Sequence, residues 1–417
     1  MALSQILRHE ASVIWDVRSE APGVYDALET GDRQFVDAWT HDYAQDIPYS
    51  RSYKPFEGDD YFRPWSHARS LYTVVPGTSH TLCLKGTEAC CPDLAVELAH
   101  GTKKDMYHKY VNQIEWWLRI EQKAPFVFTV REGLDEAMLA ARVQNDYLRR
   151  HKRFARLPIP VRVYRFPTIL QRQYVETLKS FCTPQIRELA DFVVGSGLSV
   201  YVYLYQGPVD RINTIWAPSA SGDTGYAGRR NEIAAITAKF DFEQCIDGWL
   251  RLCVELLALG WMPTTYNSDV TGQCVRHVNA FLNGGFGDLD SIRPIATITT
   301  DQDFYKSFWF MVAELVADVN MAMIGHTDYS TGMWASHYYP SPNFGMAMVT
   351  SFVWERFRKF IYEEKRAGAV FDDRIEMIAS GKSPFEKLHR IESAIFPPVA
   401  DDRPFTVGDG GTQHRYL

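Results

Sequence analysis

Between Gly260 and Pro294 the chain reads GWMPTTYNSDVTGQCVRHVNAFLNGGFGDLDSIRP, and the centre of this stretch leaves the backbone little choice. Asn283, Gly284 and Gly285 follow the apolar run Ala280 to Leu282 and precede Phe286. Two apolar runs around an Asn-Gly-Gly turn predict a tight hairpin, because these are the residues that accept the positive φ such turns demand. The hairpin would hold Asn279 at its entrance and Asp288 and Asp290 at its exit, on one end. An amide oxygen and two carboxylates suit a hard cation such as magnesium, which takes oxygen ligands and shares them with phosphates. An ordinary hairpin with polar ends has the same pattern.

At 417 residues the chain exceeds what one hydrophobic core usually serves, so two domains are expected. A hydrophobic fraction of 46% and a charged fraction of 23% belong to an ordinary globular protein. The net charge of −7 provides no basic footprint, which argues against nonspecific binding to nucleic acid or to anionic membranes. The first twenty residues carry acids and no long apolar run, so they do not read as a secretory signal. No stretch reaches the roughly 18 apolar residues of a membrane span. Seven cysteines without a CxxC pair fit a reducing compartment, and a cytoplasmic location is expected.

Taken in order, residues 1–65 read as an N-terminal extension with helical stretches around Ser4 to Arg18 and Arg33 to Tyr43. From Ser70, LYTVV and TLCLKG alternate around a Pro-Gly-Thr-Ser turn and predict two paired strands, with Lys85 near the end of the second. Residues 93–122 are helical by spacing, PFVFTV is a strand, and 133–153 form an amphipathic helix with acids first and bases last. VRVYRFP and LSVYVYLYQG are strands, the second the clearest buried one, running into Gly207-Pro208. Apolar helices follow over 242–259, 303–324 and 344–364. The strand-rich part is therefore 66–208 and the mostly helical part 209–417.

The segment Asn279 to Asp290 resembles the catalytic segment of the protein-kinase-like superfamily. There a helix leads into a catalytic loop, an Asn binds metal, a short hairpin follows, and an Asp binds the second metal position. The nine-residue step from Asn279 to Asp288 is closer to that of the atypical selenoprotein-O-type pseudokinases and aminoglycoside-phosphotransferase-like enzymes than to that of classical protein kinases. The resemblance implies an α+β, two-lobed fold that binds ATP and magnesium and moves a phosphoryl or nucleotidyl group to an acceptor it does not identify. It implies Asn279 and Asp288 as metal ligands with Asp290 in support, and Asp269, or alternatively His277, as the base. It implies Lys85 facing the phosphates, and Glu136, on the helix 133–153 packed against the strands, as its partner, with Glu132 and Glu115 behind it. The chain departs from the classical pattern in having no His-Arg-Asp and no DFG, and Cys274 stands five residues before Asn279.

Other constellations point elsewhere. Glu97 with His100 and Glu386 with His389 are two ExxH pairs, the motif of di-iron carboxylate bundles. His326, Asp328 and His337 have the residue types of the facial triad of non-haem iron oxygenases. Solvated helix faces and a pocket wall account for the same residues. A kinase-like scaffold without turnover is a third reading of the chain.

Overall fold

Short strands separated widely in sequence come together in the first half of the chain. The computed structural model describes residues 12–38, 50–51, 70–74, 80–85, 130–165, 199–207, 241–263, 280–281, 283–287, 289, 292–309, 311–312, 315 and 344–381. The fold is mixed α+β, and the chain divides into two compact units, Met1–Val209 and Asp210–Leu417.

The first unit is built on strands β1 (Ser12–Asp16), β2 (Ser50–Arg51), β3 (Ser70–Val74), β4 (His80–Lys85), β5 (Ile159–Arg165) and β6 (Ser199–Gln206). Its sheet has the order β1-β5-β6-β4-β3-β2, with every pair antiparallel. Near-continuous burial of β5 and β6 follows from their central places, where both faces are covered. Helices α1 (Val17–Glu20), α2 (Pro22–Ala27) and α3 (Thr30–Ala38) follow β1, and α4 (Val130–His151) packs against β5 and β6. The expected helix over Ser4 to Arg18 is not what forms at its C-terminal end: Ser12–Asp16 is a strand paired with residues 162–165. A five-residue strand whose partner lies so far along the chain has no local signature, and the edge of the sheet outweighs helix propensity there. The N-terminal extension thus contributes both edge strands of the sheet, β1 and β2.

The 22 residues of α4 end at Lys152, whose φ of +56° is the left-handed turn that closes a helix. Gln144, fully buried on this helix, clamps the chain that leaves it. Its amide nitrogen donates to the carbonyls of Ala155, Leu157 and Pro158, and its oxygen accepts from the Ala155 N–H at 2.9 Å.

Among the described residues the second unit is helical with two small antiparallel pairings. Helix α5 (Phe242–Ala258) starts at Asp241, whose carboxylate accepts from the Gln244 N–H at 3.1 Å. It packs on α6 (Phe344–Arg366), with Arg251 bonded to Glu363 at 3.0 Å and Arg356 to Glu243 at 2.6 Å. A short helix α7 (Asp373–Ser380) follows. The core between them is aromatic: Trp249, Phe304, Phe308, Trp354, Phe357 and Phe360 are all buried. Strand β7 (Trp261–Met262) leaves α5 and pairs with β8 (Arg293–Pro294).

Candidate functional site

Within the second unit, the Asn-Gly-Gly turn closes as its residues dictate. Ala280 and Phe286 pair as an antiparallel bridge, and the Phe281 N–H donates to Gly285 at 2.9 Å. Gly284 takes φ +84°, and the Asn283 side-chain oxygen accepts from the Gly285 N–H at 3.2 Å. The hairpin is bound to the core by its backbone: the Trp249 indole N–H on α5 donates to the Phe281 carbonyl at 2.7 Å. Ala280 and Leu289 are fully buried. Asp269, His277, Asn279, Asp288 and Asp290 themselves lie outside the described residues. The described neighbours are Ala280, which follows Asn279, and Gly287 and Leu289, which bracket Asp288.

In the first unit, Lys85 is the last residue of β4, its backbone in register with Ser70 of β3 and Tyr201 of β6. Glu136 stands on α4 and is 6% exposed, whereas its neighbours Asp135 and Met138 face solvent. The carboxylate therefore belongs to the face that carries Ala137, Ala140 and Tyr147 into the unit, not to a solvated one. Strand β6 runs into Gly207, where φ is +86°.

A third group had no signal in the sequence. Glu29, Asp32 and His80 each offer a donor atom, and these atoms lie within 4.8 Å of one another. Asp32 is fully buried on α3 and His80, the first residue of β4, nearly so, with the His80 Nδ1 2.8 Å from Asp32 Oδ2. Helix α3 is held in place by Arg162 of β5, which donates to the Val36 carbonyl at 3.2 Å and to Asp16 at 2.7 Å. Burial raises the Asp16 pKa, but hydrogen bonds from Arg18 and Arg162 outweigh this and hold it at about 2. Only the three-residue step from Glu29, just before α3, to Asp32 within it is visible locally.

The two ExxH pairs and His326, Asp328 and His337 lie outside the described residues. No protein-family model, curated protein or solved structure matches this chain.

Proposed function

We propose that this chain is an ATP- and magnesium-dependent transferase of kinase-like, two-lobed fold, moving a phosphoryl or nucleotidyl group to an acceptor. The observation that carries this reading is the buried Glu136 in its chain context. Among the described elements, β4 ending in Lys85 precedes α4 with its buried Glu136, and β5 and β6 follow, with β6 running into Gly207 in the left-handed region. In kinases the phosphate-binding Lys lies on a strand and its Glu on the next helix. Burying a carboxylate costs desolvation, and on this reading the Lys85 ammonium offsets that cost. In the second unit, the order of helix α5, strand β7, hairpin and strand β8 supplies the frame that the resemblance gives Asn279 and Asp288.

On this reading each residue has a limited task. Lys85 neutralises phosphate oxygens, and Glu136 orients Lys85. Asn279 and Asp288, with Asp290 in support, are the oxygen donors that hold magnesium, which when bound offsets the charge of the transferring phosphate. Asp269 takes the acceptor's proton, with His277 the alternative. Because phosphoryl transfer needs positioning and charge neutralisation more than covalent chemistry, these few groups suffice.

Thermal melting with ATP and magnesium tests the proposal. Ligand at 100 times its dissociation constant stabilises by about 2.7 kcal/mol, so the midpoint should rise by several degrees and EDTA should abolish the rise. A midpoint indifferent to nucleotide in the presence of magnesium contradicts the reading.

A further inference from the structure

We infer that Glu29, Asp32 and His80 form a binding site for a divalent transition-metal ion, zinc by the character of its donors. One imidazole nitrogen and two carboxylates compose it, and their donor atoms already lie within 4.8 Å of one another. Small side-chain rotations bring such atoms to the ~2.0–2.2 Å bonds that zinc makes with nitrogen and oxygen. Imidazole in the set favours zinc over magnesium, which prefers oxygen alone.

The independent sign of a ligand is Asp32. Its side chain is fully buried, and among the described residues neither of its oxygens has a hydrogen-bond partner. His80 Nδ1 stands 2.8 Å from Asp32 Oδ2, outside hydrogen-bond alignment. A buried carboxylate in that condition is costly unless a cation faces it. His80 is paired in the sheet opposite Gln206, and Arg162 ties α3, which carries Asp32, to β5. Glu29 is exposed and leaves the site open to solvent, by which an ion enters.

The alternative source of positive charge is a protonated His80, and metal titration separates the two. Full-length protein stripped with chelator is titrated with Zn²⁺, and binding and melting are followed in wild type, Asp32→Asn and Glu29→Gln. Wild type should bind zinc stoichiometrically with a higher midpoint, and excess Mg²⁺ should not displace it. Each substitution should weaken binding by more than the roughly 10–100-fold that loss of a mere outer-shell partner costs. Glu29→Gln, at an exposed position, keeps the test decisive if Asp32→Asn does not fold. Wild type without stoichiometric zinc, displacement by magnesium, or unchanged binding in Glu29→Gln overturns the site. Nucleotide plays no part in these readouts, so the result is independent of the transferase proposal.

Discussion

Asp16 closes β1 and caps α1, and it receives four bonds: the Arg18 N–H at 2.9 Å, two from the Arg18 guanidinium, and the Arg162 Nε at 2.7 Å. Its folded-state pKa of about 2 lies below the ordinary 3.8, so the folded protein favours the carboxylate. That contribution is present above about pH 4 and is lost as pH falls through about 2, an effect of about 2 kcal/mol by linkage. Denaturant titrations from pH 5 to pH 2 should show this loss in wild type and lack it in Asp16→Asn; parallel pH profiles would contradict the assignment. The Arg162 bond was not legible in the sequence, because Arg162 stands 146 residues from its partner. The same holds for Asp32 with His80 and for the Gln144 clamp. Taken singly they read as ordinary polar residues, and only the tertiary fold brings them inside. Glu136 was legible as a position and not as a buried group: spacing placed it on a helix, while its exposure depends on what the helix packs against.

Elements whose cause is local were read with little error. The apolar spacing of 242–259 becomes Phe242–Ala258, that of 344–364 becomes Phe344–Arg366, and that of 133–153 becomes Val130–His151. The strands flanking the Pro-Gly-Thr-Ser turn pair as expected, and so do the residues around Asn283-Gly284-Gly285. In each case the turn chemistry and the side-chain period act over fewer than about ten residues. The N-terminal strand failed for the opposite reason, since its partner is distant. The hairpin allows a direct test at Gly287. A Cβ there would stand 2.3 Å from Cζ and 2.6 Å from Cε2 of Phe281. That ring is buried, and its backbone is held by Gly284, Gly285 and Trp249. Gly287→Ala should therefore destabilise the protein by about 1–3 kcal/mol, the usual cost of overpacking. An unaltered denaturation midpoint would show that the ring moves aside freely.

For the whole chain, a net charge of −7 repels a triphosphate at long range. Binding of ATP must then rest on local cations, which on the proposed reading are magnesium and Lys85. Magnesium dependence is accordingly the property that the account stakes most on. Among the described residues no helix is long and apolar enough to cross a membrane. The decisive measurement is calorimetric titration of ATP, with and without magnesium, into wild type, Asp288→Asn and Asp290→Asn. Wild type should bind only with magnesium, Asp288→Asn should weaken binding at least about tenfold, ~1.4 kcal/mol, and Asp290→Asn should do less. Folded wild-type protein that takes up no ATP in the presence of magnesium would contradict the account.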